Sequence, residues 1–433
     1  MSKRVVIIGG GIAGLSAAYL LHQRFSVTVC ERSDLLGGNH QQVQRGGDTL
    51  NLGASYLPQG DHYAWWFLRR FQATVKPMYP WQAGWVLDRE RVFSGTIPWV
   101  LFFALLFVLV RLAAKVRPSL DGLLLSDVFA RLPRGLRRGA ILAIGYDPIT
   151  HDELDGLLFL PYMRYVLWSC IGTGYLVQWG DLTSRRLADH LREQGVSLAT
   201  RTEVTAVTRA PGGAGYTVRT RDADGAETTL HADQVVVACY PRAAAELLRD
   251  VVSPALVARL AGSQMRLGSA IVLPAPALYR RKRLYFLQKR SAEGRTVRGM
   301  LDRQFGDRYA RVFSMDNTTQ QDLLADLGAD AASVVAERHT FVHYAPDHTS
   351  MYRDLRPLIL QHHADPAQDI HFCSYAYDPS GFRNADQSIM TAIRAARRIC
   401  AREGGPTPNL AEVNQIPLGF WGRLQRRLLH NQL

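Results

Sequence analysis

A strand that runs straight into a glycine-rich turn constrains this chain more than any other feature. Val5-Val6-Ile7-Ile8 is a continuous apolar run, and a strand must be covered on both faces to bury every residue of such a run. Gly9-Gly10-Gly11-Ile12-Ala13-Gly14 follows at once, and Leu15 to Leu21 then repeats apolar residues at helical spacing. Ser26-Val27-Thr28-Val29-Cys30 is a second strand that ends on Glu31. The result is a βαβ unit with G-x-G-x-x-G at its first strand-to-helix turn. Gly9 permits the tight turn, Gly11 lets a pyrophosphate approach the backbone, and Gly14 lets helix and strand pack closely. The amides of Ile12 and Ala13 open a helix whose N-terminus offers about half a positive charge to phosphate. Glu31 is placed to accept hydrogen bonds from a ribose diol. The unit predicts a dinucleotide site.

At 433 residues the chain exceeds one compact core and suits two domains. Its hydrophobic fraction of 47% and charged fraction of 21% exclude a disordered or collagen-like polymer. The net charge of +13 favours acidic partners: nucleic acid, an anionic membrane face or a phosphate-bearing ligand. Five cysteines form no CxxC pair, which points to a reducing compartment and to no metal site. Lys3 and Arg4 before an apolar stretch imitate a secretory signal, but glycines interrupt the stretch and no small-residue cleavage site follows.

The residues after the acid carry a resemblance. Glu31-Arg32-Ser33-Asp34-Leu35-Leu36-Gly37-Gly38-Asn39 resembles the extended fingerprint of FAD enzymes related to amine oxidases, protoporphyrinogen oxidases and phytoene desaturases. Thr49-Leu50-Asn51-Leu52-Gly53-Ala54-Ser55-Tyr56 looks like the next block, which leads the chain past the flavin ring. The resemblance implies an α/β fold: a Rossmann-type, glutathione-reductase-like FAD-binding domain interleaved with an α+β substrate domain. It implies FAD, held noncovalently, with Arg32, Gly37, Gly38, Asn39, Gly53, Ala54 and Ser55 on the cofactor.

Later segments extend it. Leu187 to Gln194 reads as a short helix, and Glu203-Val204-Thr205-Ala206-Val207 resembles the strand whose valine, here Val204, touches the adenine through its backbone. Tyr216–Arg221 and Glu227–Ala232 flank the turn Asp222-Ala223-Asp224-Gly225 as a hairpin. Asp233 to Pro241, with Ala238, resembles the strand at which the chain leaves the FAD domain. Ile370-His371-Phe372-Cys373-Ser374 is a further strand and 386–396 a helix, with Asp386 as the expected N-cap. Ser374, Gln387 and Ser388 then belong to the flavin or pyrophosphate end. Gly381-Phe382-Arg383-Asn384 and Phe341 to Arg353 are similar to segments of a bacterial branch of FAD-dependent amine oxidoreductases. The expected domains are 1–75, 186–254 and 346–405 for FAD, 76–185 and 255–345 for substrate, and a basic amphipathic tail over 406–433.

Residues 97–110 form an apolar run closed by Arg111. As a helix the run is about 21 Å long, against about 30 Å of bilayer hydrocarbon. It reads equally as a buried core helix and as a tunnel wall or monotopic membrane anchor. Arginine clusters recur, and 420–429 sets aromatic and leucine residues against arginines. No nucleic-acid motif appears, so an anionic membrane surface is the better account of the charge, with a cytoplasmic location, peripheral on the inner membrane face.

A flavin supplies hydride chemistry, so the expected site is an apolar pocket with a few polar groups. His343, Tyr344, Tyr56 and Tyr375 are the candidates for those groups. The substrate-domain strand 267–273 lacks the lysine that amine oxidases of the superfamily carry near the flavin. The leading expectation is an FAD-dependent dehydrogenase or desaturase acting on a hydrophobic, lipid- or isoprenoid-like small molecule. An amine or amino-acid oxidase is the second reading, and a nonredox flavin isomerase resembling UDP-galactopyranose mutase the third. The electron acceptor is left open.

Overall fold

The computed structural model describes residues 2–79, 83–87, 91–94, 96–116, 123–133, 159, 163, 174–263, 265–275, 284–290, 296–303, 308–314, 320–343, 354–377, 384–408 and 410–414. Its organising layer is a five-stranded parallel sheet in the order Ser197–Ala199, Ser26–Cys30, Arg4–Ile8, Gln234–Val237, Ile370–Phe372. Successive residues of a strand face opposite sides, and the first strand shows the consequence. Val5 and Ile7 join one core with Leu15, Leu21, Ile389 and Ile393, while Val6 and Ile8 join another with Tyr216, Val218 and Leu248. The helices Ile12–Leu21 and Ala385–Arg402 supply the first cover. An antiparallel meander, Thr202–Arg209, Tyr216–Asp222 and Glu227–Ala232, supplies the second, with the helices Pro241–Leu247 and Pro254–Ala261. Burial on both faces is why the first strand is apolar throughout.

A seven-stranded sheet forms the other large layer. Its order is Ala336–His343, Met265–Pro274, Tyr309–Ser314, Thr296–Arg303, Leu284–Arg290, Ala83–Leu87, Arg91–Ser94. All neighbours are antiparallel except Leu284–Arg290 with Ala83–Leu87. This sheet leans on the hairpin Gln42–Arg45/Asp48–Asn51: Val272 packs on Leu50 and Leu52, and Arg308 pairs with Asp48 at 2.6 Å.

Several local readings shift. The helix expected over 187–194 is Ala188–Glu193, continued backwards by a π-helical turn, Asp181–Leu187, in which Arg185 and Arg186 both bond to Asp181. The apolar run 97–110 lies inside a longer helix, Thr96–Val116. Asp386 is not the N-cap. Asn384 caps the Ala385–Arg402 helix, its side-chain oxygen accepting the Gln387 amide at 2.9 Å. The Asp386 carboxylate instead accepts the Ala64 amide at 2.8 Å, so it ties two helix starts together. The tail residues 420–429 lie outside the described residues.

Candidate nucleotide and flavin site

The glycine turn is held in place before any ligand enters. Gly9 has φ +109°, a left-handed conformation, and a Cβ there would stand 2.9 Å from the Ala238 carbonyl oxygen. Ala238 in turn donates its amide to Ile8 at 2.9 Å. A Cβ on Gly14 would drive into the Gly9 carbonyl oxygen. Gly11 differs: the nearest atom to a Cβ there is the Gly38 Cα, at 3.7 Å. Gly9 and Gly14 are therefore required by the fold itself. Gly11 has room for a Cβ, in ordinary contact with Gly38, so the fold itself does not require glycine there.

Around this turn the structure gathers most of the sequence-predicted cofactor residues. Gly37 donates its amide to Gly10 at 2.9 Å, and Gly11 bridges to Gly37, so the paired glycines lie against the loop. Glu31 accepts the Gly10 amide through Oε2 at 2.8 Å, and the Ser33 amide and hydroxyl through Oε1. A carboxylate has about four acceptor sites, so a ribose hydroxyl still finds capacity on Oε2. Arg32 is exposed. The Asn39 carbonyl accepts the Ala54 amide at 2.9 Å, its side-chain oxygen accepts the Tyr240 hydroxyl at 3.0 Å, and Gly53 packs on the same carbonyl. Ser55 is buried and accepts a bond from the buried Arg311 of the seven-stranded sheet at 2.8 Å. Val204 sits at a bulge of the meander, whose first residue, Thr202, donates to the Glu31 carbonyl at 2.8 Å.

The far end of the site is built by the Ala385–Arg402 helix. Ser388 donates to the Asn384 carbonyl at 3.2 Å and accepts the Tyr375 amide at 3.4 Å. Ser374 is buried beside them, and the neighbouring Cys373 thiol donates to the Ala13 carbonyl. Burial pushes that thiol up to about 12. Asn384 also donates to Asp61 at 3.2 Å. Burial, and then the Asp386 charge, hold the Asp61 carboxyl well above the usual range. Among the polar candidates, Tyr56 is half-buried with its ring against Gly174, and Tyr375 is half-buried beside Ser388. His343 is the last residue of its strand, opposite Met265; its side chain and Tyr344 lie outside the described residues.

Four residues that the sequence reading missed border the same region. His40 stacks on Trp179 with ring centroids 4.9 Å apart, and burial followed by the Arg338 charge pushes it down to about 3, so the ring is neutral. Arg338 and Arg311 arrive from the seven-stranded sheet. Among the described residues, His40 Nδ1, Gln42 Oε1, Trp179 Nε1, Arg338 Nη1 and Gln387 Oε1 are buried without a hydrogen-bond partner. Buried polar atoms are rarely left unmet. His40, which stacks on Trp179 and donates its amide to Gly37, puts one such atom next to the paired glycines, which fits a large polar ligand such as FAD. No sequence spacing joins these residues; only Arg311 carries a local mark, as the single charged residue of the strand Tyr309–Ser314.

Comparison with known proteins agrees with this geometry. Residues 7–71 match the family model described as an NAD(P)-binding Rossmann-like domain, and residues 173–382 match the model of FAD dependent oxidoreductases. A redesigned putrescine oxidase superposes with a TM-score of 0.65 at 15% identity, over 92% of this chain and 99% of that one. Cyclohexylamine oxidase from Brevibacterium oxydans superposes with a TM-score of 0.64 at 18% identity, over 93% and 99%. An L-amino-acid oxidase of Pseudechis australis is 41% identical over 75 residues, 16% of this chain and 14% of that protein. Coproporphyrinogen III oxidase of Staphylococcus aureus is 46% identical over 61 residues, 13% of each chain. The chain thus spans about one seventh of the length of the curated relatives it matches. The likeness to FAD dependent oxidoreductases covers residues 173–382, and the fold is the one shared with the two oxidases above.

Proposed function

We propose that the chain is a dehydrogenase or desaturase for a hydrophobic small molecule, working at an anionic membrane surface on the cytoplasmic side. The carrying observation is the Thr96–Val116 helix. Leu106, Leu109 and Ala113 are buried, packing it on the protein beside the short helix Leu125–Phe129. Its opposite side exposes Phe103 by 42%, Phe107 by 68%, Val108 by 43% and Val110 by 40%. Phe103, Phe107, Arg111 and Lys115 follow one another at four-residue spacing, so aromatics and then cations share an exposed stripe. An interfacial helix needs this arrangement: apolar rings among acyl chains and cations at anionic headgroups. Among the described residues no helix is long and apolar enough to cross a membrane. With one side already packed on protein, this helix suits lying in the interface.

FAD, held at the Gly9–Gly14 turn, would supply the hydride-accepting chemistry. The chain's own part is to orient the substrate C–H bond and exclude water, with the seven-stranded sheet as one wall of the substrate space. Ser269 and Arg311, on adjacent strands of this sheet, are buried polar groups suited to orienting. The likeness in fold to putrescine and cyclohexylamine oxidases supports a second reading, amine oxidation.

The test is anaerobic bleaching of the flavin-loaded protein by isoprenoids and lipids in vesicles and, separately, by mono- and diamines and amino acids. Bleaching by the apolar set alone supports the first reading. Bleaching by amines alone overturns it in favour of the second.

A further inference from the structure

The strand Ile370–Phe372 is the outer edge of the parallel sheet, and among the described residues no strand lies beyond it. Its inward groups are taken by the neighbouring strand: the Asp369 carbonyl accepts the Val235 amide, and the Cys373 amide donates to Val237. Alternation along the strand then turns the main-chain groups of Ile370 and Phe372 outward. Such groups need a partner or water. Two consecutive histidines of the helix Arg356–Ala364 meet them. His362 Nε2 lies 3.0 Å from the Ile370 carbonyl oxygen, and the Phe372 amide donates to His363 Nε2 at 3.5 Å. A donor for one carbonyl and an acceptor for the amide two residues on are what one residue of a sixth parallel strand would supply.

The two contacts differ in what they tolerate. His362 acts as a donor, which a neutral or a charged ring can do. His363 acts as an acceptor, which places its proton on Nδ1 and requires a neutral ring. A proton on His363 Nε2 would set one N–H against that of Phe372. The ionisable groups around His363 disfavour a charge on it. Arg398 and Arg402 act from the Ala385–Arg402 helix, the His362 ring lies beside it at 5.7 Å, and His371 of the strand stacks on it at 6.3 Å. The Asp365 carboxylate and Arg209 of the meander act on His362 instead. His371 is engaged elsewhere, bonding Gln234 Oε1 through Nε2 at 2.8 Å. The start of the strand is held separately, since Arg402 donates to the Asp365 carbonyl at 2.7 Å and to Asp369 at 3.0 Å. A charged His363 therefore frees the other end, which runs into Cys373 and Tyr375, bonded to Ala13 and Ser388 of the cofactor site. We propose that His363 is an acid-sensitive latch: neutral, it holds the edge strand closed, and protonated, it releases Phe372 and loosens residues 373–375. The consequence for ligand retention rests on FAD as the cofactor; the latch does not.

The test is hydrogen exchange of the full-length chain at pH 7.5 and pH 5.5, read by mass spectrometry on peptides covering 365–377 and corrected for the intrinsic rate. A ring that stays neutral when closed and titrates near its ordinary value of about 6.5 when open predicts about a tenfold rise in opening between these pH values. His363→Gln offers a side-chain oxygen that accepts the Phe372 amide and does not titrate, so the rise should be lost. No rise in the natural chain overturns the proposal, as does a rise that His363→Gln keeps in full. Should His363→Gln fail to fold, nitrogen NMR of the histidine rings in the natural chain decides at pH 7.5. A neutral His363 protonated on Nδ1 supports the latch, and one protonated on Nε2 overturns it. Exchange is read without added flavin, so a failed latch is distinguishable from a failed cofactor assignment, which shows as a chain that takes up no FAD.

Discussion

The two large sheets of this molecule solve opposite problems. The parallel sheet is covered on both faces, and its strands present almost nothing but aliphatic side chains to two continuous cores. The seven-stranded sheet packs Ile271, Leu273, Ala275, Ala310, Val312 and Leu324 together on the described part of its surface. It also carries the buried Arg311 and the half-buried Arg338, and the helix that follows its edge strand exposes aromatic rings to solvent. One sheet is a scaffold whose residues serve packing. The other docks through Arg311, which donates to Ser55 at 2.8 Å, and stands beside a helix with exposed aromatic rings.

The sharpest way to break that contrast is inside the glycine turn. Gly14→Ala forces a Cβ into the Gly9 carbonyl oxygen, an overpacking expected to cost about 3 kcal/mol or more. Loss of folded protein, or a large fall in Tm, is the expected outcome. A variant with the natural Tm contradicts the reading of Gly14 as required by the fold.

Buried neutral histidines of the scaffold give the next effect. Burial pushes His363 down to about 2 and His40 to about 3, and it lowers His371 well below its ordinary value. Below pH 6.5 the unfolded chain binds protons that these folded rings refuse. Their stability contribution is therefore complete above about pH 6.5 and is lost as pH falls. Each costs up to about 1.4 kcal/mol per pH unit below that point. Urea titrations at pH 7 and pH 5.5 check this, and replacing His363 by Phe should flatten the difference.

Asp61 has the opposite sign and a smaller size. Its carboxyl is raised, so its contribution is favourable below the ordinary aspartate range and is lost as pH rises through its folded value. Asp61→Asn should stabilise by about 1 kcal/mol at pH 8 and by little at pH 4. A uniform loss of stability at both pH values would show that its hydrogen bonds outweigh the charge.

Least costly to the fold is Phe107→Ser on the exposed helix face. It should change stability by no more than about 0.5 kcal/mol. In vesicle flotation it should nonetheless reduce binding to anionic liposomes several-fold. Unchanged flotation would remove the membrane component of the proposed function.

What could be read from the chain follows the same divide. Val5 to Ile8 and Ser26 to Cys30 are legible because burial on both faces leaves a local apolar signature, and the glycine turn is legible because sterics dictate it. The order of the seven strands is set by pairing between distant segments, such as Leu284–Arg290 with Ala83–Leu87, which no local pattern records. Asp386 and Asn384 are equally good caps by residue type. The choice falls to Asn384 because Asp386 is taken by Ala64, 322 positions away. His40, Trp179 and Arg338 are invisible for the same reason, being brought together by the docking of separate segments.

Gly11 offers the most direct test of the central claim that the cleared turn receives FAD. A Cβ at this position meets no protein atom nearer than 3.7 Å, so Gly11→Ala should fold with the natural Tm in the flavin-free state. Purified and reconstituted side by side, the natural chain should show a bound flavin spectrum at one FAD per chain. The Gly11→Ala chain should remain folded and largely colourless, because the added methyl crowds the pyrophosphate. A natural chain that folds but takes up no FAD, or a Gly11→Ala chain that binds FAD as tightly as the natural one, would contradict the account.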